Sequence, residues 1–422
     1  MNQTRVYLQL KPVSALACLI YSLLALTCSQ GVSAADLSIW TSSENVARAL
    51  EKLSKNFERD YDKKVTISVL NKDLTTQFKT AAIAGKGPDI LCWANDVVGE
   101  LASSGLVEPV IMPRELSQAF LRSALDSFTF EGKLYGYPYD IEAVALITNK
   151  NLLPRVPTSF ENLANWGEMF QKETPGKYAL LFDLKNFYFN FAFLSAGGGY
   201  VFGKKETPTG LILNPEDIGL SNEGAIAGAN FLKSLTTRGI TPSSTDRNVA
   251  FEKFLKGELA SMIDGPWAIK DLIRSGIPFD VSPLPTLAGK IPGPFVGTHG
   301  FIIRRSSKKK DLAKELIEKY LVSAPAMVTL YKEDPRGPSR RDTLELLRNE
   351  LDPQMLHYLE QFFASAKNAT PMPNISAMGP VWSSMGGAFE LIFQKGVAPK
   401  EALTDATLKI KNAIETTQSE QR

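Results

Sequence analysis

Apolar and polar positions along the first third of the chain predict strands alternating with helices. Residues 37–40 predict a first strand, and apolar residues spaced three or four apart over 46–61 predict a helix. Strict alternation over 65–69 predicts a second strand, a helix follows at about 75–84, and 89–92 predicts a third strand. This order is typical of βαβ units with a mostly parallel sheet.

The rest of the chain also predicts both strands and helices. The apolar run 143–148 predicts a strand that crosses between two lobes, and 160–275 is rich in helical spacing. Residues 281–284 and 300–303 predict further strands. A cluster of proline and glycine at 334–338 marks a place where the chain could cross again.

The first 35 residues have the pattern of an export signal. Arg5 and Lys11 give a basic start, residues 13–26 are mainly apolar, and small residues precede Asp36. The apolar run is too short to span a bilayer comfortably. We therefore expect a periplasmic protein that is cleaved near Ala34 or Ala35.

Net charge, length and cysteine content limit the classes of function that this chain can have. The sequence has 422 residues with 47 basic and 45 acidic side chains, and the signal contains two basic residues and no acidic ones. The remaining chain is therefore neutral, which argues against nucleic acid as a partner. Its length favours two lobes over one core. Cys92 is the one cysteine outside the signal, so we expect no intramolecular disulfide and a buried, unreactive thiol.

The clearest candidate site follows the third strand. A Gly-Lys-Gly-Pro turn at 85–88 precedes the strand, and Trp93, Asn95 and Asp96 come at its carboxyl end. Ligands of open α/β sheets sit at this end of the strands. An aromatic face beside a carboxylate and an amide suits a sugar. The alternative is a core tryptophan with a helix-capping Asp96.

Short motifs then occur in a fixed order over residues 37–416. They are Gly87-Pro88-Asp89-Ile90, Ser104-Gly105-Leu106, Tyr137-Pro138, Ala196-Gly197-Gly198-Gly199-Tyr200, Gly265-Pro266-Trp267, Pro294-Phe295-Val296-Gly297 and Met372-Pro373-Asn374-Ile375. In this order the chain resembles the periplasmic maltose/maltodextrin-binding proteins of ABC importers, with a cyclodextrin-binding relative as one variant.

The resemblance implies an α/β fold of the two-lobed periplasmic-binding-protein type, with mostly parallel sheets and several hinge crossings. It places the first lobe at 36–141 and 300–348, and the second at 142–299 and 349–422. It also implies a monomer that binds an oligosaccharide by lobe closure and delivers it to permease subunits. No cofactor, metal or nucleic acid is expected, and a chemoreceptor is a further candidate partner.

The resemblance also supplies site residues. The aromatic platforms would be Trp93, Tyr188, Trp267 and Trp382, and the polar contacts would be Glu44, Asn45, Asp96, Glu142 and Asn186. Core packing is the alternative for each tryptophan, and we assign Trp40 and Trp166 to it. Glu44 could instead belong to the first turn of a helix. Glu142, in an apolar context, could form an internal ion pair at the hinge.

Several charged positions and one tyrosine of the maltose-binding family are absent. The replacements are Asn45, Thr75, Thr76, Val97, Ser383 and Gly386, together with the position near Asn186. Stacking platforms are kept while charged hydrogen-bonding partners are lost. This pattern favours a longer, branched or cyclic α-glucan, such as a cyclodextrin, over maltose.

Other classes of function compete with this interpretation. Asp96 and Glu142 could in principle hydrolyse a glycoside, but the sequence contains no nucleophile elbow, Walker loop or clustered metal-ligand motif, so we expect no enzyme. A binding protein of the same fold for another solute, such as a different oligosaccharide, a peptide or a polyamine, stays open. So does a module whose main partner is a chemotaxis receptor.

Overall fold

The computed structural model describes residues 36–207 and 210–420, so the predicted export signal lies outside the described residues. The helices are α1 Glu44–Tyr61, α2 Leu74–Ile83, α3 Val98–Ser103, α4 Arg114–Ala119, α5 Arg122–Ser127, α6 Phe160–Glu173, α7 Phe187–Ala196, α8 Glu223–Thr237, α9 Arg247–Leu255, α10 Ile269–Ser275, α11 Lys310–Glu315, α12 Ala324–Glu333, α13 Arg341–Glu350, α14 Pro353–Lys367, α15 Met378–Gln394 and α16 Pro399–Glu420. Within this part of the chain no helix is both long and apolar enough to cross a membrane.

The strands are β1 Leu37–Thr41, β2 Val65–Val69, β3 Ile90–Ala94, β4 Thr129–Phe130, β5 Lys133–Leu134, β6 Tyr137–Pro138, β7 Asp140–Ala143, β8 Ala145–Asn149, β9 Tyr178–Leu181, β10 Gly203–Thr207, β11 Gly210–Asn214, β12 Leu259–Asp264, β13 Phe279–Ser282, β14 Phe295–Gly297, β15 His299–Ile303, β16 Gly337–Pro338 and β17 Thr370–Pro371. Two 3₁₀ turns, Asn95–Val97 and Pro266–Ala268, follow β3 and β12 directly.

A five-stranded sheet forms the centre of the first lobe, in the order β2-β1-β3-β15-β6. β1 runs parallel to β2 and β3, as the strand–helix alternation predicts. β15 comes from much later in the chain and pairs antiparallel with both β3 and β6. Apolar clusters cover both faces of this sheet, one beneath α1 and α12 and the other beneath α2 and α3.

A four-stranded sheet forms the centre of the second lobe, in the order β13-β8-β12-β9. β8 pairs antiparallel with β12 and β13, and β9 pairs parallel with β12. The two lobes confirm the predicted α/β, two-lobed fold class. The sheets are mixed where we expected mostly parallel ones, because β8 and β15 enter from the opposite direction after a crossing.

A third sheet lies between the lobes, in the order β16-β7-β14-β17, and we call it the hinge sheet. β6, β7 and β8 follow one another with at most one residue between them, yet each belongs to a different sheet. The chain therefore passes from the first lobe through the hinge sheet into the second, and it returns through β14 and β15. The sequence boundaries of the two lobes stay a prediction.

Cys92 lies in β3 with its side chain buried. Burial raises the pKa of its thiol to about 12. The expected packing role of this residue is confirmed.

Close contact between α7 and α8 fixes the carboxyl-terminal half of α7, the helix whose start carries Tyr188. A Cβ on Gly228 would lie 2.2 Å from the Phe193 carbonyl oxygen, and one on Gly224 would lie 1.8 Å from the Gly197 oxygen. Only hydrogen fits at these two positions. By contrast, a Cβ on Gly387 in α15 would meet nothing within 4 Å.

We expect Gly228→Ala to lower the free energy of unfolding by about 1–3 kcal/mol, because the methyl group would force α7 and α8 apart. Gly387→Ala is the matched control, and it should raise that free energy by about 0.5–1 kcal/mol because alanine favours helix. Urea unfolding followed by circular dichroism measures both. Equal stability of the two variants would contradict the close helix contact.

Candidate functional site between the lobes

Aromatic side chains from three elements form one surface on the second lobe. Tyr188 is near the start of α7, Trp267 lies in the 3₁₀ turn after β12, and Trp382 lies in α15. The rings of Tyr188 and Trp267 are 6.3 Å apart between centroids. Phe295 of the hinge sheet is fully buried and packs against two of these rings, at 6.1 Å from Tyr188 and 5.8 Å from Trp382.

The neighbouring phenylalanines serve the core. Phe187 and Phe189 are buried, and Phe187 packs edge-on against Trp382 at 5.8 Å. Trp166 stacks on Phe170 within α6, at 4.6 Å, as its assignment to the core requires. Trp40 is partly buried against the first-lobe cluster that includes Leu91.

The first lobe contributes Asp96 to this surface, whereas Trp93 packs within the first-lobe cluster that includes Leu91. Trp93 is partly buried near the end of β3, and Asp96 lies in the 3₁₀ turn that follows. The indole nitrogen of Trp382 donates to Asp96 Oδ2 across the lobes, at 3.0 Å. Asp96 Oδ1 is buried with no hydrogen-bond partner among the described residues. Burial raises the pKa of Asp96 to about 6, although the bond from Trp382 opposes the rise.

Glu142 is buried in the hinge sheet and forms the internal ion pair that was its alternative role. The Arg336 guanidinium donates to Glu142 and to Asp334. Burial raises the pKa of Glu142, and the positive charge of Arg336 opposes that rise. The Tyr188 hydroxyl is buried near Glu142 and makes no hydrogen bond of good geometry with the described residues. Its pKa lies well above the ordinary value because of burial and the nearby Glu142 charge.

Asp140 and His299 complete this group of buried charges. His299 Nδ1 lies 3.1 Å from Asp140 Oδ2 and 3.9 Å from Glu142 Oε2. Burial alone would lower the pKa of His299, but the two carboxylates reverse this and raise it. We call Asp140, Glu142, His299, Asp334 and Arg336 the hinge charge cluster.

Three members of the cluster offer metal-ligand atoms within 4.8 Å of one another, namely Asp140, Glu142 and His299. However, Arg336 already pairs with Glu142 and lies 3.7 Å from Asp140 Oδ2. The guanidinium of Arg336 therefore supplies the positive charge that a metal ion would bring. The arrangement is that of a salt-bridge cluster, and we assign no metal to it.

The other predicted polar residues lie at helix starts. Glu44 is exposed as the first residue of α1, and Asn45 accepts a hydrogen bond from Arg48 one turn later. Asn186 is exposed and caps α7 by accepting from the Tyr188 backbone nitrogen at 3.0 Å. The Ser43 hydroxyl donates to Asp334 at 3.2 Å, which links the start of α1 to the hinge charge cluster.

Sequence reasoning missed four members of the hinge charge cluster: Asp140, His299, Asp334 and Arg336. One signal was available. Asp140 and Glu142 are two residues apart in an apolar strand, so they face the same side and require a buried cationic partner. Nothing in the spacing identifies that partner as Arg336, which is 194 residues away from Glu142.

A cavity of about 460 Å³ lies on the opposite side of the hinge sheet from Glu142. Its walls include Ile141, Val296, Thr298 and Met372 from the hinge region and Phe202 from the second lobe. Strand alternation places Ile141 and Glu142 on opposite faces. None of the nine predicted site residues lines this cavity.

The chain is similar to known proteins over most of its length. Residues 52–352 match the family described as bacterial extracellular solute-binding protein. The galactooligosaccharide-binding protein of Bacillus subtilis is 26% identical over 388 residues, covering 90% of this chain and 89% of the relative. The maltodextrin-binding protein MdxE of the same organism is 29% identical over 378 residues, 86% of each chain.

A third relative comes from Streptococcus pneumoniae. It is the maltooligosaccharide ABC transporter solute-binding lipoprotein, 28% identical over 383 residues and 86% of each chain. The family and these relatives are binding proteins rather than enzymes, which confirms that no catalytic role is to be assigned. With the family match spanning well over half of its 422 residues, this chain belongs to the bacterial extracellular solute-binding proteins.

Proposed function

We propose that this protein captures an oligosaccharide between its lobes and delivers it to the permease of an ABC importer. One observation carries the proposal: aromatic rings of the second lobe meet buried oxygen atoms that have no well-formed hydrogen bond to the described residues. Asp96 Oδ1 and the Tyr188 hydroxyl are two such atoms. Sugar hydroxyls can supply the missing hydrogen bonds, and sugar C–H faces pack on the indoles.

The ligand in this proposal is an α-glucan longer than maltose, or a cyclic one. The maltodextrin and maltooligosaccharide names of two relatives support the α-glucan. The small or uncharged residues Asn45, Val97, Ser383 and Gly386 support recognition of sugar faces rather than of chain ends. The site would consist of Trp93, Asp96, Glu142, Tyr188, Trp267 and Trp382, with Glu44, Asn45 and Asn186 at its edge.

The cellular setting is part of the proposal. The signal pattern of residues 1–35 supports export and cleavage near Ala34 or Ala35, and hence a periplasmic monomer. Its protein partners would be a permease and a chemoreceptor, each of which would bind the closed form of the two lobes.

A second candidate ligand is a galactooligosaccharide, because one relative carries that name. A peptide or polyamine has less support. The carboxylates at the hinge already have Arg336 and His299 as cationic partners, so they do not require a cationic ligand.

Isothermal titration should distinguish these ligands. We expect residues 36–422 to bind maltohexaose and α-cyclodextrin more tightly than maltose, because the charged contacts to a short chain are missing. Maltotriose and a galactooligosaccharide complete the series. Preference for maltose would contradict the role of the lost charges, and binding of the galactooligosaccharide alone would replace the α-glucan.

Trp267→Ala should weaken maltohexaose binding by about 1–3 kcal/mol, as for other aromatic stacking platforms, which is about a 5- to 150-fold rise in Kd. Trp166→Phe is the matched control, because its ring stays stacked on Phe170 in the core. Wild-type affinity of the Trp267 variant would remove this residue from the site.

Binding should weaken as the pH falls through about 6, the raised pKa of Asp96. The ionised carboxylate accepts from Trp382 and from ligand hydroxyls, and its protonation removes that acceptor. Below this pH the affinity should drop by up to about tenfold per pH unit. Titration calorimetry from pH 5 to 8 measures the profile. Asp96→Asn should lack this transition, whereas identical profiles for both proteins would exclude Asp96 as its source.

A further inference from the structure

Backbone pairing in the hinge sheet sets the position of Arg336. β16 pairs antiparallel with β7, with Gly337 opposite Ile141 and Pro338 opposite Asp140. One step further along this register places Arg336 opposite Glu142. The strand pairing directly after Arg336 thus brings its side chain beside Glu142.

The guanidinium of Arg336 is almost fully buried, with 13% of its side chain exposed. It donates to Glu142 and Asp334 and lies 3.7 Å from Asp140. Without it, Asp140 and Glu142 would keep His299 as a cationic neighbour, and the buried Asp334 would lose its ion pair with Arg336. Such a loss is costly because an unpaired buried charge remains.

The same guanidinium contacts the second lobe. Its central carbon lies over the Trp267 ring, 5.3 Å from the centroid. The indole is also held by its own turn: its nitrogen donates to Asp264 Oδ1 at 2.7 Å, and the Gly265 backbone covers the six-membered ring so closely that a Cβ would lie 2.2 Å from two ring atoms. Arg336 therefore adds a cation–π contact to a ring that Asp264 and Gly265 have already oriented.

An ion pair reinforces this junction. Glu333 ends α12 of the first lobe and pairs with Lys270 of α10, three residues after Trp267. Lys270 and Lys52 lower the pKa of Glu333 to about 2. The short segments 266–270 and 333–336 thus meet twice, once through Arg336 and once through Glu333.

We propose that Arg336 is a positioning residue for ligand capture, which holds the hinge carboxylate Glu142 and the platform Trp267 together as the lobes close. The inference rests on the proposed function, because those two side chains are its ligand contacts. A ligand would meet a preformed pair instead of ordering two separate groups, and the entropic cost of binding would be lower. Recognition would therefore depend on a residue that need not contact the ligand.

Arg336→Gln and Arg336→Lys test the proposal, with maltohexaose as the probe and titrations from pH 5 to 8. Arg336→Gln should raise Kd at least tenfold at pH 7.5. Its affinity should also begin to fall at a higher pH than in the wild type. Without the guanidinium, Glu142 faces Asp140, His299 and Tyr188, and it takes up a proton more readily. Arg336→Lys should keep the wild-type profile but lose affinity at least threefold, since an ammonium cannot reproduce the planar contacts.

Two further measurements separate positioning from general stability. Lys270→Met is the matched control: it removes the neighbouring ion pair, and its pH profile should keep the wild-type midpoint. The tryptophan emission of ligand-free Arg336→Lys should differ from that of the wild type, and this difference should vanish in a Trp267→Phe background.

The outcomes distinguish the two proposals. Wild-type affinity and pH profile in Arg336→Gln would overturn the positioning role. If that variant does not fold, wild-type affinity in Arg336→Lys would do the same. Failure of the wild type to bind any glucan or galactooligosaccharide would instead overturn the proposed function, and the emission measurement would still test the contact between Arg336 and Trp267.

Discussion

The narrow hinge sheet is the constraint on which the rest of the structure depends. Two bodies with separate cores are joined by strands of two to four residues, and every crossing has to satisfy its backbone hydrogen bonds there. β7 performs this task for both neighbours, since it pairs with β14 on one side and β16 on the other. These pairings bring residues from two distant parts of the sequence beside Glu142.

Burial of charge at this point follows from the same constraint. Strand alternation turns Asp140 and Glu142 to one side, where there is no room for bulk solvent, and only buried cations can balance them. The two cations are Arg336, which directly precedes β16, and His299, which is the first residue of β15. The hinge charge cluster thus lies where the lobes meet. A movement of one lobe relative to the other would therefore change the distances between its charged groups.

Local sequence signals predicted much of the fold. Alternation and helical spacing identified β1, α1, β2, α2 and β3, because these elements form from neighbouring residues. The antiparallel entry of β15 was not predictable in this way, since it depends on pairing between Cys92 and Phe301 across more than two hundred residues. Short hinge strands such as β16 carry too few residues for any periodicity to be detected.

The candidate site likewise contains residues that the sequence predicted and residues that it did not. The aromatic residues Tyr188, Trp267 and Trp382 were identified from the family resemblance, and in the structure they lie around the buried Phe295 ring. The ionic partner of Glu142 was anticipated as a possibility but not as a residue. Asn186 and Glu44 were predicted as ligand contacts but lie at helix starts. The same polar residue types occur at helix starts and in sugar-binding sites, so the sequence does not separate the two roles.

Burial of the Cys92 thiol in β3 has a practical consequence for labelling chemistry. With its pKa raised to about 12, this sulfur stays protonated and shielded from reagents at neutral pH. It is the one cysteine of residues 36–422. A cysteine introduced on the surface of either lobe would consequently be the single reactive thiol, and a fluorophore or spin label attached there would report on the approach of the lobes without further mutation.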